Sequence, residues 1–392
     1  MVSVARNNTP ALRFDGLDGE WEKVSLGDLG IPISGVGFPH SEQGGETGTP
    51  FFKVSDMGQS DNQRELLYAA NYVSAEQIKQ RRWQVSNGPA VVFAKVGAAV
   101  LLDRKRLVRE TFLADNNLMA FVISQSVLLP DFSLSLFETL SLSSLVQVGA
   151  LPSINGSQVQ AMMVSIPPTF QEQRAVGELF ADLDALIEQH RAKHANLQQT
   201  KTALMQCMFP QDGADEPELR VGGFSGAWEP KKVDEICPLQ RGFDLPASEM
   251  VEGSVPVVTS NGVVRHHNKA LVKGPGVTTG RSGTIGKVHF VEQDYWPHNT
   301  SLWVTDFKGN DPRFVYHLLQ RIDPSRFSSG SGVPTLNRND LHDFVSHIPP
   351  TLEEQRAIGE VFSNLDALIT SEHRYITQLT QAKTALLQRM FV

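Results

Sequence analysis

A glycine-rich segment in the second half of the chain has residue types that could bind a phosphate group. It runs from Gly280 to Lys287 and reads GRSGTIGK. A nucleotide-binding loop requires the spacing G-x-x-x-x-G-K-[ST], because its backbone amides surround the phosphates and its hydroxyl binds magnesium. Arg281 occupies the first glycine position and Val288 the hydroxyl position, so ATP binding is not expected. The two cations could instead contact a nucleic-acid phosphate, or the segment could be an ordinary tight β-turn.

Other residue patterns give no enzymatic site. Two Ile-Pro-Pro-Thr segments, starting at Ile166 and Ile348, share only their prolines with the base-binding loop of adenine methyltransferases. Their isoleucines and threonines cannot bind an amino group or stack on a base, and no glycine-rich cofactor loop precedes them. The eleven histidines show no ligand spacing such as H-E-x-x-H, and two cysteines cannot form a four-ligand zinc site. We therefore predict no catalytic residue, metal site or cofactor site in this chain.

Basic residues are concentrated in one part of a chain whose net charge is −8. Eight of them lie between Glu76 and Glu110, with only three acidic residues. These eight are Lys79, Arg81, Arg82, Lys95, Arg104, Lys105, Arg106 and Arg109. Such a cluster favours phosphate contact, although residues 104–106 could also form a solvated loop. Residues 171–220, by contrast, contain nine acids and five bases, so the global charge is weak support for or against nucleic-acid binding.

Length and composition indicate a globular protein of more than one domain. The chain has 392 residues, of which 41% are hydrophobic and 20% charged. No apolar run approaches the ~20 residues that a membrane span needs. The N-terminus lacks the apolar segment of a signal peptide, and Cys207 and Cys237 cannot form a disulfide framework. We expect a soluble, reduced, cytoplasmic protein with no membrane partner.

An internal repeat predicts the architecture that must position these groups. Residues 166–209 and 348–391 are identical at 25 of 44 aligned positions, and a shorter match joins residues 10–22 with 217–229. Between the matching blocks the similarity nearly disappears. Three fragments remain: Gly37-Phe38 with Gly242-Phe243, Pro50 with Pro256, and Lys95-Val96-Gly97 with Arg281-Ser282-Gly283. The order is therefore variable domain, helix, variable domain, helix.

The repeated segments have the pattern of long helices. Each follows two prolines, and Thr169 and Thr351 are expected N-caps, with Glu172 and Glu354 completing a capping box. Apolar residues recur at heptad-like steps over ~38 residues, which would span ~57 Å. The predicted interface residues are Leu179, Leu183, Leu186, Leu197, Leu204, Val361, Leu365, Leu368, Leu379 and Leu386, flanked by Phe180, Ile187, Phe362 and Ile369. Each helix needs a partner for its apolar face, and the nearest partner is its own copy.

The predicted fold is α+β. Two mixed, mostly β domains are separated by two long repeat helices that pack as an antiparallel coiled coil with pseudo-twofold symmetry. The expected boundaries are 1–168 for the first domain, 169–210 for the first helix, 211–350 for the second domain and 351–392 for the second helix. Within the domains, strands are expected at 89–95, 276–280 and 287–291, and helices at 74–82 and 312–321.

The chain resembles the specificity subunits of type I restriction–modification systems. The resemblance rests on P-P-x-x-[EQ]-E-Q-R at each helix start, L-D-x-L-I within each helix and L-R-F with Trp21-Glu22 at the front. It also rests on S-G-V-P-T-L-N before Asp340-Leu341 and on the G-x-x-G-T-I-G turn at 280–286. Essentially the whole chain is covered. The first domain departs from the pattern, because residues 95–99 lack the full glycine turn.

The resemblance implies a protein that reads DNA and catalyses nothing. Each domain would be a target-recognition domain for one half of a bipartite, asymmetric site in double-stranded DNA. The helices would set the spacing and help to dock two methyltransferase subunits, which use S-adenosylmethionine to methylate adenine. A separate restriction subunit, a translocase, would use ATP and Mg to move and cut DNA. The candidate DNA-binding residues are Arg81, Arg82, Lys95, Arg104, Lys105, Arg241, Asn261, Arg281, Ser282, Thr284 and Lys287.

Three other interpretations remain open from the sequence. The chain could be the recognition subunit of a related type II multi-subunit restriction–methylation enzyme, which a neighbouring gene for a fused nuclease–methylase would indicate. It could be a coiled-coil scaffold with protein-binding β domains, which would show no salt-dependent DNA binding. It could also be a self-sufficient enzyme, which methyl transfer by the isolated chain would establish.

Overall fold

The computed structural model describes residues 8–146, 152–211, 213–329 and 335–392. The chain divides into two compact units. The first contains Met1–Ala192 and Arg374–Val392, and the second contains Lys193–His373. Among the described residues, every helix is too short or too polar to span a lipid bilayer. The Ser331–Pro334 part of the S-G-V-P-T-L-N motif lies outside the described residues.

The first unit is built from short strands around a buried sheet. Its strands are β1 (Glu22–Ser25), β2 (Gly30–Ser34), β3 (Thr49–Phe52), β4 (Tyr72–Val73), β5 (Ala90–Ala94), β6 (Lys105–Val108), β7 (Leu113–Ala114), β8 (Leu118–Ile123) and β9 (Met163–Ile166). Its helices are α1 (Leu26–Leu29), α2 (Ala75–Arg81), α3 (Pro130–Thr139), α4 (Gly156–Gln160) and the start of α5 (Phe170–Cys207).

The second unit has a corresponding set of elements. Its strands are β10 (Glu229–Lys232), β11 (Leu239–Arg241), β12 (Val255–Thr259), β13 (Gly262–His267), β14 (Gly276–Gly280), β15 (Val288–Val291), β16 (Trp296–Pro297), β17 (Ser301–Val304), β18 (Ser328–Ser329), β19 (Thr335–Leu336) and β20 (Val345–Ile348). Its helices are α6 (Val233–Ile236), α7 (Pro312–Ile322), α8 (Arg338–Asp343) and the start of α9 (Leu352–Met390).

The two units share one strand topology although their sequences are dissimilar. The order β2-β8-β5-β6 in the first unit corresponds to β11-β17-β14-β15 in the second. A three-stranded sheet, β4-β3-β7, corresponds to β13-β12-β16, and in both sheets the last pair of strands is parallel. The antiparallel pair β1–β9 corresponds to β10–β20. The predicted α+β class with two mixed, mostly β domains and two long helices is therefore confirmed.

The long helices begin where their caps predict. Helix α5 has 38 residues and α9 has 39, and each starts directly after its threonine. The Thr169 hydroxyl accepts a hydrogen bond from the Glu172 amide at 3.3 Å, and Thr351 accepts from Glu354 at 3.4 Å. The capping box forms in this direction only, because the two glutamate carboxylates bind other partners.

Each of these glutamates is buried in a clamp made by the segment at the front of its unit. Glu172 is 1% exposed and accepts two hydrogen bonds from Arg13, at 2.7 and 2.6 Å, and one from the Trp21 indole at 3.1 Å. In the second unit, Glu354 binds Arg220 at 2.7 and 2.9 Å and Trp228 at 3.2 Å. The Arg, Trp and Glu repeats found in the sequence are therefore three parts of one duplicated contact.

In each unit, segments of the two long helices pack antiparallel. In the first unit Lys383 binds Asp184 at 2.6 Å, and the rings of Phe180 and Phe391 lie 6.1 Å apart. In the second unit Lys201 binds Asp366 at 2.6 Å, and Phe209 and Phe362 lie 5.9 Å apart. In each unit, the residue with the higher number in or just after α5 contacts the residue with the lower number in or just after α9, as an antiparallel pair requires. The predicted antiparallel pairing is confirmed within each unit.

The buried face of each helix is wider than the predicted leucine stripe. Leu179, Leu183 and Leu386 pack against the first core, and Leu204, Val361 and Leu365 against the second. Leu186, Leu197 and Leu379 are half-buried. Leu368 is 50% exposed and lies outside the buried helix face, so its place in an interface stays a prediction. The most buried positions include Phe180 and Phe362, at 0% exposure, because these residues pack against their unit's core as well as against the other helix.

The buried glutamate clamp gives a first prediction. Glu172→Ala leaves the Arg13 guanidinium and the Trp21 indole without their acceptor, so we expect the first unit to lose about 3 kcal/mol of stability. Glu188→Ala is the control, since Glu188 pairs with Arg191 in solvent and such pairs contribute about 0–1 kcal/mol. Urea denaturation of both variants measures the difference. Equal losses from the two substitutions would contradict the clamp.

Candidate nucleic-acid interface

The glycine turn between β14 and β15 is a closed backbone loop with cationic side chains. Gly283 and Gly286 have φ of 81° and 87°, a left-handed conformation that favours glycine. The amides of Arg281 and Ser282 donate to the Thr300 carbonyl, at 2.8 and 3.2 Å. These amides are therefore not available for a phosphate, and a strand rather than a helix follows the turn. The side chains of Arg281 and Lys287 provide two cationic groups that can contact an anion.

Two further loops meet the glycine turn. The Ser260 amide donates to the Thr300 hydroxyl at 3.3 Å, and the His298 amide donates to the Val258 carbonyl at 2.9 Å. The tip of the β12–β13 hairpin, with exposed Asn261, therefore lies beside the turn. The structure thus brings Asn261 and the residues Arg281, Ser282 and Thr284 of the turn to one surface.

Arg241 adjoins the same surface from the end of β11. It pairs with Asp244 at 3.2 Å, and Asn299 also donates to Asp244. The amide of Phe243 donates to the Pro297 carbonyl at 2.8 Å. All six predicted DNA-binding residues of the second unit are consequently connected through three neighbouring loops.

The charge of this surface comes from arginine and lysine. Burial lowers the pKa of His289, against the effect of its bond to the Ser260 carbonyl, and burial also lowers the pKa of His298, against Asp244. Both imidazoles are therefore neutral at pH 7. A phosphate contact here depends on guanidinium and ammonium groups, which stay charged at that pH.

Lys95 occupies the position in the first unit that Arg281 occupies in the second. The Lys95 amide donates to the Asn117 carbonyl at 2.8 Å, as Arg281 does to Thr300, and Val96 pairs with Ser153 as Ser282 pairs with Thr335. Gly97 has φ of 78°, close to that of Gly283. The aligned fragments at 95–97 and 281–283 are thus confirmed as equivalent.

The other two aligned fragments have different outcomes. Pro50 and Pro256 are equivalent, because each precedes the residue that pairs with β7 or β16 in parallel. The alignment of Gly37-Phe38 with Gly242-Phe243 was wrong by two residues. Val36 bridges Asp115 as Phe243 bridges His298, and Gly35 approaches the Asp115 carbonyl as Gly242 approaches that of His298. The local G-F identity does not report the pairing, which long-range contacts determine.

The remaining predicted residues of the first unit have different environments. Arg81 binds Glu42 at 2.6 Å, and this contact lowers the pKa of the Glu42 carboxyl. Arg82 ends α2 in an exposed left-handed conformation with φ of 51°. Arg104 is exposed at the end of the β5–β6 connection. None of these three has a hydrogen bond to Lys95 among the described residues, so the first unit shows no single connected surface like that of the second.

Lys105 does not lie on the surface and is withdrawn as a DNA-contact candidate. It is 7% exposed, and its ammonium binds Asp103 at 2.9 Å and the Leu140 carbonyl at 2.8 Å. Burial lowers its pKa, and Asp103 opposes that effect. The neighbouring Arg106 is 8% exposed and donates to three backbone carbonyls. Both residues stabilise the inside of the first unit because β6 packs against α3 there.

The sequence analysis missed a second basic region. Residues 253–291 contain no aspartate or glutamate, although the chain has 43 acids in 392 residues. The region contains Arg265, Lys269, Lys273, Arg281 and Lys287. The signal in the sequence is a long stretch without acidic residues, because the five basic residues are too widely spaced to form a visible cluster. Among the described residues, no group of His, Cys, Asp or Glu could hold a metal ion.

A family model described as the type I restriction modification DNA specificity domain matches residues 18–199 and 226–381. This chain belongs to that family. The resemblance drawn from the sequence motifs is thereby confirmed, and both units of this specificity protein are covered.

Individual relatives agree with the family. The type I restriction enzyme MjaVIII specificity subunit of Methanocaldococcus jannaschii is 20% identical over 289 residues, which are 65% of this chain and 67% of the relative. A second relative from that organism, named MjaX, is 23% identical and is covered over 60% of its length.

Solved structures show the same fold. The S subunit of a type I restriction–modification system from M. genitalium has a TM-score of 0.70 at 14% identity, over 98% of this chain and 99% of that chain. A chain from a structural study of complex assembly and conformational transition of the type I R-M system has a TM-score of 0.54 at 17% identity, over 95% and 98% of the two chains.

The glycine turn of this specificity protein gives a second prediction. Arg281→Ala and Lys287→Ala should each weaken DNA binding about equally for all sequences and lower the salt slope by about 0.9, because each removes one phosphate contact. Lys308→Ala is the control, since this exposed lysine of the same unit pairs with Asp306. Binding measured at several salt concentrations is the test. Loss of preference at one base position would instead identify the residue as a base reader.

Proposed function

We propose that this chain is the DNA-recognition subunit of a type I restriction–modification complex and that each unit reads one half of a bipartite, asymmetric site. The observation that carries this proposal is one fold used twice with two different surfaces. Lys95 and Arg281 have equivalent backbone positions, yet the turns that follow them differ. A glycine turn follows Arg281, whereas the short helical turn Ala98–Leu102 follows Lys95.

The two units differ in the turns that follow Lys95 and Arg281, and a protein that reads two different sequences requires different residues in its recognition loops. Shared topology gives both units the same rigid sheet, which can present loops to a duplex in the same way. Different loop residues then offer different hydrogen-bonding and apolar groups to base edges. In the first unit, Leu101 and Leu102 are 63% and 59% exposed at the position of the glycine turn. The two half-sites are therefore expected to differ.

The chemistry of the complex is assigned to partner subunits. We propose that two methyltransferase subunits dock on this chain and supply S-adenosylmethionine chemistry, and that restriction subunits supply the ATP- and Mg-dependent reactions. The likeness to a chain solved in a study of type I complex assembly supports this part of the proposal. The chain itself is expected to hold no cofactor and to catalyse no step.

The third prediction tests this division of labour. The purified chain alone should neither methylate nor cleave DNA, whereas its complex with a cognate methyltransferase subunit should methylate adenine within a split motif. Mapping methylated adenines genome-wide in cells with and without this gene measures the motif. The methyltransferase subunit alone is the control and should give no such motif. Methylation by the isolated chain, or a continuous motif, would overturn the proposal.

We propose further that the long helices set the spacing between the half-sites, because both helices contribute to both units. As a fourth prediction, inserting four residues after Ala192 and four after His373 should preserve the Lys–Asp pairs within each unit. The helices would lengthen by ~6 Å. Since B-DNA rises ~3.4 Å per base pair, the spacer should grow by one or two base pairs. The half-site sequences should not change.

An insertion in α5 alone is the matched control for this experiment. It shifts one helix against the other, so the Asp184–Lys383 and Lys201–Asp366 contacts cannot both form. That variant should lose stability or DNA methylation. The methylated motif is the readout for both variants. If the double insertion leaves methylation intact and the spacer unchanged, the helices do not set the distance.

A further inference from the structure

The hairpin formed by β12 and β13 has an unusually exposed outer strand. In β13, the four residues Val263 to His266 are all exposed, and Val263 and Val264 have exposed fractions of 51% and 54%. Neighbouring residues of a strand point to opposite faces. Both faces of this strand are therefore open to solvent, and it forms the edge of its three-stranded sheet.

A β-bulge directs the two valines. Val257 pairs with Arg265 and Val258 with Val263, so Val264 is the extra residue of the bulge. Bulges bend a strand and change the direction of a side chain, and they are frequent beside functional sites. The bulge gives this edge two adjacent exposed methyl-bearing side chains, followed directly by Arg265 and His266.

The hairpin is held firmly at both ends. At its tip, the Thr259 hydroxyl donates to the Gly262 carbonyl at 3.1 Å. At its base, His267 is 5% exposed, bonds the Val251 carbonyl at 2.9 Å and packs on Trp296 at 5.2 Å between rings. The exposed residues between these ends therefore project from a fixed backbone rather than from a free loop.

The charge around the hairpin is complementary to DNA. The hairpin lies within the 39-residue stretch 253–291, which has five lysines and arginines and no acid. The side chains of Arg265 and His266 have no hydrogen-bond or ion-pair partner among the residues that the structure describes. An unpaired arginine side chain beside exposed apolar groups fits a duplex, whose grooves combine phosphates with base edges.

The hairpin also continues the surface already described. Its tip, Ser260-Asn261, contacts Thr300 and lies beside the glycine turn. In the first unit the equivalent strand, β4, has only two residues, and one of them, Val73, is fully buried. Among the described residues, the long exposed hairpin is thus found in the second unit alone. This is what a determinant of one half-site requires.

We propose that the β12–β13 hairpin enters a groove of duplex DNA and reads bases of the second half-site, with Val263 and Val264 against thymine methyl groups and Arg265 on a guanine edge or an adjacent phosphate. A two-stranded ribbon fits the major groove, and apolar side chains recognise the thymine methyl there. This inference rests on the proposed function. It adds reading residues that are separate from the phosphate-binding turn.

The test uses the full chain in complex with its cognate methyltransferase subunits. The probe is a set of duplexes that keep the first half-site and randomise the second. Val263→Ala and Val264→Ala together should reduce the preference for thymine at one or two adjacent positions by about tenfold, and Arg265→Ala should relax a neighbouring position. Val345→Ala is the matched control, because Val345 is an equally exposed strand valine of the same unit, at 50%. The first half-site should be unaffected by every variant.

The outcomes separate this inference from the proposed function. If the wild-type complex selects a split motif and the hairpin variants leave the second half-site unchanged, the hairpin is not a reader while the function stands. Uniform weakening across all sequences would overturn base reading and show a backbone contact instead. A wild-type complex with no half-site preference would contradict the proposed function and the hairpin's role with it.

Discussion

Each unit depends on a carboxylate buried at the start of a long helix. Glu172 joins Arg13 and Trp21 from the front of the chain to the first turn of α5, across about 150 residues of sequence. The indole of Trp21 also packs on Phe391, at the end of the other helix. A buried anion without its cation would be costly, so the clamp ties three distant segments together. Glu354 repeats the arrangement in the second unit.

This constraint explains which parts of the chain are alike. Gly177 and Gly359 leave space for the backbone before Phe132 and Phe314, and Gln173 and Gln355 bind carbonyls and amides of their own units. Most of the residues that touch the domain cores or the partner helix are therefore identical in both repeats, and exceptions such as Leu179 with Val361 and Val176 with Ile358 are exchanges between apolar residues. Residues 188–196 and 370–378, where the boundary between the units lies, have almost no identity.

The distribution of charge also differs between the long helices and the loops of the domains. The two long helices use acidic residues in paired contacts such as Asp184–Lys383 and Asp366–Lys201. Several basic side chains without a partner among the described residues, including Arg265, Arg281 and Lys287, lie on the β12–β13 hairpin and the glycine turn. An acidic protein can thus present a basic surface, because DNA responds to the charges within a Debye length and not to the sum over the chain.

The sequence by itself determined the long helices, their starts, their apolar faces and the duplicated order of the chain. These features depend on local patterns: proline followed by a threonine cap, apolar residues at helical spacing, and identity at a constant offset. The sequence also located strands β5, β14 and β15 and helices α2 and α7 nearly to the residue. For the same reason, the family resemblance could be drawn from short motifs.

Only the tertiary structure decided which charged residues are free. Lys105 begins the short strand β6 and Lys287 directly precedes the short strand β15, yet Lys105 is buried under α3 and Lys287 is exposed. Glu172 and Glu354 were predicted to cap their own helices, but their carboxylates bind arginines that are far away in the sequence. The strand topology that the two dissimilar domains share could likewise not be predicted from the sequence. Burial and pairing depend on what packs from distant parts of the chain, and local sequence patterns carry no record of those neighbours.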